Sequence, residues 1–195
     1  MARPEIKQDR REQILDAFEV CVTRYGIEGA TLAKTAETAG LARPLIRHNV
    51  GNRDDLVEAL VSRYLARSRA AQDELIAGLP RDGRPRVLIN RLFDPHFSDT
   101  RRVQVASALI AAAADDPALA QKMRDWLDDF VARLEHVIAD AYPDASPAQV
   151  AAVAAGIIGI YFNVEALNPL GDIRPLVSAS KEAALLLIAS LEANE

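Results

Sequence analysis

Apolar residues recur at helical spacing along almost the whole of this 195-residue chain, and no stretch alternates with period two. A strand turns every second side chain to the same face, so the pattern restricts the chain to an all-α architecture. The first stripe is the clearest. Ile14, Ala17, Phe18, Cys21, Val22 and Tyr25 fall on one helical face, with Arg10, Glu12, Asp16 and Glu19 off it. Gly26 supplies a left-handed residue to stop that helix.

Start and stop signals divide the rest. Thr31 is a good N-cap for a short helix ending near Ala39, and Gly40 follows. A second short helix spans about Arg43 to Asn49. Gly51-Asn52 then breaks the chain, with Asn52 as cap and Asp54 and Asp55 at the positive end of helix 4. Helix 4 runs to about Ala77, with Leu56, Leu60, Val61, Tyr64 and Leu65 on its inner face. Residues 78–85 (GLPRDGRP) read as a linker. Helices follow over Arg86–Phe93, from Ser98 or Asp99 to Ala114, from Asp116-Pro117 to Ala141, from Ser146-Pro147 to Leu167, and over Pro175–Leu191. Asn168-Pro169 separates the last two. The total is about nine helices.

Length and composition suit a globular chain with a sizeable core: half the residues are hydrophobic and 26% are charged. The longest apolar run, Val150 to Phe162, is too short to span a bilayer, so no membrane partner is expected. The N-terminus lacks an apolar signal core, and Cys21 stands alone, which fits a reducing cytoplasm. The net charge of −5 argues at first against a polyanionic partner. Residues 1–55, however, hold nine Lys/Arg and nine Asp/Glu, so the acidic excess lies further along. A neutral segment binds DNA if its positive charges share a face.

The segment TLAKTAETAGLARPLIRHNVGN meets that condition. It has a capped helix, a glycine turn and a second helix, the layout of a helix-turn-helix, whose second helix enters the major groove. That second helix carries Arg43, Arg47, His48 and Asn49 and no acid. Arg forks onto guanine and Asn onto adenine, while phosphate contacts position the protein without reading sequence.

RREQILDAFEVCVTRYGIEGATLAKTAETAGLARPLIRHNVGNRDDLVEAL resembles the DNA-binding head of TetR-family repressors along its whole length and without gaps. The matches are the RxxIL-A start, Tyr25-Gly26, Thr31, the AxxAGL turn at Ala36 to Leu41, Gly51, and Arg53 to Leu56. The resemblance implies a helix-turn-helix over about 31–50 in a DNA-binding domain of residues 8–67, then a ligand-binding and dimerisation domain over 68–195. It implies a homodimer on a palindromic double-stranded DNA operator, with major grooves about 34 Å apart or a multiple of that. By position, Thr31 and Arg53 match phosphate contacts. Arg43, Pro44, Leu45, Arg47 and His48 match contact positions of the recognition helix. Asn49 keeps hydrogen-bonding ability, and Lys34 is a further phosphate candidate. The chain departs from the family pattern at Thr35 (usually Ile), Ala42 (often Ser or Thr), Pro44 (usually small), Arg47 (usually Tyr), Asn49 (usually His) and Val50 (usually Phe). The operator is therefore expected to differ from those of typical members.

The C-terminal half resembles the family in helix number and length. Aromatic and polar residues there suggest a small-molecule effector site built from Phe93, His96, Phe97, Met123, Trp126, Phe130, Tyr161, Phe162, Asn163 and Glu165, with plain core packing as the competing reading. The resemblance implies a four-helix dimer interface through Ala155, Ile158, Gly159, Ala184, Leu187, Ile188 and Leu191. Composition alone leaves an intrachain core equally open. Helix 4, leading from head to body, is the expected relay between effector and DNA.

No HExxH, CxxC, GxSxG, P-loop or GxGxxG is present, and His48, His96 and His136 are scattered. The Asp115-Asp116 and Asp128-Asp129 pairs diverge on a helix. No enzyme, metal or cofactor is expected. The expected function is a ligand-responsive repressor. The alternative is a helical small-molecule-binding or interaction protein with a vestigial DNA-binding head.

Overall fold

A computed structural model describes residues 3–97 and 99–192. Among them are nine α-helices, one 3-10 turn and no strand. The helices are α1 (Arg3–Gly29), α2 (Leu32–Ala39), α3 (Arg43–Val50), α4 (Arg53–Ala77), α5 (Arg84–Leu92), α6 (Thr100–Ala112), α7 (Pro117–Ala141), α8 (Pro147–Leu167) and α9 (Arg174–Glu192).

The punctuation works as expected at most boundaries. Asp116 Oδ1 accepts from the Ala118 and Leu119 N–H groups, both at 3.0 Å, and so starts α7. Ser146 and Gln149 form a reciprocal capping box at the start of α8. The linker ends earlier than expected, because Pro85 sits in the first turn of α5, where its fixed φ favours a helix. Ser98, one of two expected starts for α6, lies outside the described residues. Gly26 has φ 71° and ψ 172°, so it kinks α1 before a last short turn rather than capping it in the left-handed region.

The chain divides into two compact units. The first holds residues up to Ser68 together with Arg101–Met123. In it α1, α2 and α3 pack on one another around Phe18, Ile14, Ile46, Leu56 and Leu60, all fully buried. Each such side chain contributes roughly 1.5–3 kcal/mol on leaving water. Two residues of α1 differ from expectation. Tyr25 leaves the apolar stripe and is 44% exposed, with the Lys34 ammonium 3.9 Å from its ring centroid. Glu19, expected on the polar face, is only 7% exposed because it meets Arg63 of α4.

The second unit holds Arg69–Thr100 and the residues from Arg124 onward. Its core combines Leu88, Ile89 and Leu92 of α5, Leu134, Val137 and Ile138 of α7, and Ala154, Ile157 and Ile158 of α8 with Ala184 and Ile188 of α9. The α8 segment with its 3-10 turn, 24 residues over Pro147–Leu170, is long and apolar enough to cross a membrane, contrary to the length estimate from Val150 to Phe162. Its apolarity has another outlet here, since Val150, Val153, Ala154, Ile157, Ile158, Tyr161 and Val164 are buried within the unit.

Candidate nucleic-acid interface

The helix-turn-helix is set by its turn. Gly40 is left-handed (φ 65°, ψ 34°). The Leu41 N–H donates back to Ala36 O at 2.9 Å, a closure that ends α2 and redirects the chain. Thr31 Oγ1 accepts from the Lys34 N–H at 3.3 Å and caps α2. Thr35, a hydroxyl in an apolar position, is fully buried without a penalty because its Oγ1 donates to Thr31 O at 2.9 Å. Ala42 precedes α3 in extended conformation and supplies no side-chain cap.

Ile46 and Val50 are the inward face of α3, which packs on α1 and α2. Arg43, Pro44, Leu45, Arg47 and His48 are left exposed on a helix without an acid. Beyond α3, Gly51 has φ 88°, and a Cβ there would lie 2.3 Å from Asp55 Oδ2. That space is needed because the Asn52 N–H donates to Asp55 Oδ2 at 2.8 Å and the Asp55 N–H donates to Asn52 Oδ1 at 2.9 Å. The reciprocal pair caps the start of α4.

Three expected contact residues have partners inside the chain. Asn49 is half-buried and its Nδ2 donates to Leu45 O at 2.7 Å. The Arg53 guanidinium donates to Ile27 O at 2.8 Å and to Glu28 Oε1 at 3.1 Å, tying α4 to the end of α1. Lys34 Nζ donates to Gly29 O at 3.0 Å and covers the Tyr25 ring. Thr31 is exposed, and its hydroxyl proton remains able to donate.

One feature of the head carried no expectation. The Arg63 side chain is 8% exposed and stands among Glu12, Asp16 and Glu19, at 3.3, 2.9 and 2.6 Å. Its four residues lie on α1 and α4, 44 or more positions apart, so only the spacing of 12, 16 and 19 hinted at a shared helix face. Beside it a groove of about 610 Å³ is lined by Arg11, Glu12, Leu15, Val50, Asp55, Glu58, Ala59, Ser62 and Arg63. Val50 fills less of this space than the Phe of the family pattern would.

No family model matches the chain. A transcriptional regulator from Pseudomonas aeruginosa PAO1 superposes with a TM-score of 0.78 at 20% identity, covering 99% of this chain and 93% of that one. A Rhodococcus protein assigned to the TetR family superposes with a TM-score of 0.70 at 19% identity, covering 94% and 98%. This is the fold of the TetR-family transcriptional regulators. The HTH-type transcriptional regulator BetI of Burkholderia ambifaria is 26% identical over 203 residues, 97% of this chain and 100% of its own length.

In this chain the second unit rearranges the expected sites. Phe93, Trp126, Phe130, Tyr161 and Phe162 form one aromatic cluster, with ring centroids 5.6–6.2 Å apart. Phe97 packs against the same core, and Glu165 is buried on α8, with Asn168 Nδ2 3.5 Å from it. His96 leaves the group: its side chain is 97% exposed and pairs with Asp94 at 2.9 Å. Asn163 is exposed on the other side of α8, and Met123 is buried in the first unit. The expected dimer face also divides. Ile158, Ala184, Ile188 and Leu191 are buried within the chain, where α8 and α9 pack on each other. Leu187 is half-buried against Gly156, whereas Ala155 and Gly159 are exposed.

Proposed function

We propose that the chain is a ligand-responsive transcriptional repressor that binds a palindromic operator as a homodimer. One observation carries the DNA-binding part: α3 is held by buried Ile46 and Val50 and presents Arg43, Arg47 and His48 to solvent with no acid among them. That is the chemistry of a major-groove helix. BetI of Burkholderia ambifaria, a full-length relative, is named an HTH-type transcriptional regulator, which supports the same reading. Nothing in this role requires catalysis, and a cytoplasmic location goes with it.

The phosphate contacts are assigned to Thr31 and the exposed basic groups of α3. Lys34 and Arg53 also hold the head together through Gly29 O and Ile27 O, and each keeps further N–H groups for a phosphate. The operator-binding domain is proposed over 8–67 and the effector and dimer domain over 68–195. The effector site is narrowed to Phe93, Phe97, Trp126, Phe130, Tyr161, Phe162 and Glu165. The dimer face is moved to the exposed small residues of α8, around Ala152, Ala155 and Gly159, and to Ala179, Ala183 and Leu186 of α9. Leu186, 70% exposed, lies on the same α9 face as Ala179 and Ala183, so the three make an exposed apolar stripe.

The test is selection of operators from random duplex DNA by the full-length protein at fixed salt, followed by gel shift. The expected result is enrichment of a two-fold symmetric sequence, and release of it by an effector found in a thermal-shift screen. Failure to retain any duplex at low salt would instead favour a helical binding protein with a vestigial head.

A further inference from the structure

We infer that an alternating network of charges, Arg69 and Asp73 of α4 with Asp129 and Arg133 of α7, couples the proposed effector site to α4, with Arg133 as the positioning residue. The inference rests on the ligand-responsive reading and deepens it. It names the side chains through which a ligand acts on the helix whose first turns belong to the head.

All four residues lie in the second unit. Asp129 Oδ2 accepts from Arg133 Nε at 3.0 Å and stands 3.6 Å from Arg69 Nη2. Nη1 of the Arg133 guanidinium donates to Asp73 Oδ1. Arg133 and Asp129 are half-buried, so solvent screens them less than a surface pair. A solitary exposed ion pair holds two helices weakly. Here one planar guanidinium is gripped by carboxylates from both helices, which fixes its orientation. The signs also set a register. They run plus to minus along α4 and minus to plus along α7. A slide of one turn, about 5.4 Å, would bring Arg69 beside Arg133 or Asp73 beside Asp129. Leu75 and Ile76 supply apolar contact from this part of α4. Such contact is non-directional, so the register falls to the charges.

The proposed effector site uses the same two turns of α7. Trp126, Asp129, Phe130 and Arg133 are spaced three and four apart, so they share one side of that helix. Trp126 meets Phe162 with ring centroids 5.7 Å apart, and Phe130 meets Tyr161 at 6.2 Å and Phe162 at 5.8 Å. These are contact distances, so a ligand entering among the rings pushes on α7, which carries two of them. When those turns of α7 move, either the ion pairs break or α4 follows. α4 is one helix from Arg53 to Ala77, and its first turn comes directly after α3. A shift imposed at Asp73 is carried along it to that turn.

Coupling between two binding events is reciprocal, so operator binding must be felt at the aromatic site as well. Trp126 is the one tryptophan of the chain and reports from that site without a label. The experiment titrates the full-length protein with the operator selected for it. It reads Trp126 emission, excited beyond the absorbance of the bases, beside a gel shift of the same samples. Wild-type emission should shift and saturate with operator occupancy. Arg133→Met keeps an apolar stem and a good helix former, and should bind the operator with the emission response lost. Exchanging the charges of α7 alone, Asp129→Arg with Arg133→Asp, should abolish the response too. Exchanging all four, with Arg69→Asp and Asp73→Arg added, should restore it. The fourfold variant contains the same α7 substitutions as the double one, so its rescue separates coupling from a folding defect. Wild-type emission indifferent to saturating operator would overturn the inference and leave DNA binding intact. An undiminished response in Arg133→Met, or no rescue by the fourfold exchange, would overturn it as well. Retention of no duplex by the wild type would remove the operator-binding reading on which the inference rests.

Discussion

Replacing Arg63 is the most informative perturbation of the head. Its guanidinium is buried, and its contacts are unequal. Glu12 and Asp16 have side chains 42% and 57% exposed, so water screens them and each pair is worth at most about 1 kcal/mol. Glu19 is different, with a side chain only 10% exposed and Arg63 Nη2 at 2.6 Å. The contact is short but off the hydrogen-bonding line, and Arg63 Nε finds no acceptor, so its strength is that of charge attraction. Removing one partner of a buried pair strands the other and costs about 3–5 kcal/mol. Arg67 reduces that figure, since its guanidinium already stands 3.6 Å from Glu19 and can swing closer. We therefore expect Arg63→Ala to destabilise the first unit by about 2–4 kcal/mol. The double replacement Arg63→Met with Glu19→Leu should cost little, because both charges leave together and the volume stays filled. Urea unfolding followed by far-UV circular dichroism on the two single variants and the double variant gives the coupling. Additive single and double effects would refute the reasoning, as would a loss below about 1 kcal/mol for Arg63→Ala, because neither is compatible with a stranded Glu19.

Gly51→Ala should destabilise the head by about 2 kcal/mol or more, from positive-φ strain and from loss of the Asn52–Asp55 exchange, read as a shifted urea midpoint. The Glu192 carboxyl is held below its ordinary range by hydrogen bonds from Arg86 and Tyr142. A depressed folded-state pKa stabilises above the unfolded value and is lost as pH falls through the folded one. Melting temperature should thus drop below about pH 4.5 more gently in Glu192→Gln than in the wild type, and an unchanged profile would discount the pair. Leu186→Glu should lower the mass seen by light scattering after size exclusion from dimer to monomer. A wild-type monomer at micromolar concentration would remove the proposed interface.

Much of the fold was legible because its boundaries are local. Thr31, Gly40, Asp116 and Ser146 act within four residues of themselves, through a cap or a backbone turn, and each did what its residue type dictates. The outward face of α3 was legible for the same reason, since Ile46 and Val50 mark its inner side four residues apart. The site was less legible wherever a side chain had a partner from another element. Arg53 matched a phosphate contact by position, and nothing near it along the chain showed that its guanidinium also binds Ile27 O, 26 residues earlier.

The amino-acid sequence by itself determined that this chain is all-α, that its first helices form a helix-turn-helix, and that the second of them carries basic groups without acids. Those properties depend on periodicity, caps and composition, which act over one or two turns. Only the tertiary structure decided which apolar faces of α8 and α9 close on each other and which small residues stay outside. It also decided that Glu19 is buried, and that Asn49, Lys34 and Arg53 have partners within the chain, whereas the Arg43, Arg47 and His48 side chains have none among the described residues. Burial and partnership are set by elements far apart in the chain, and a pattern read along one helix cannot show what the next helix brings to it.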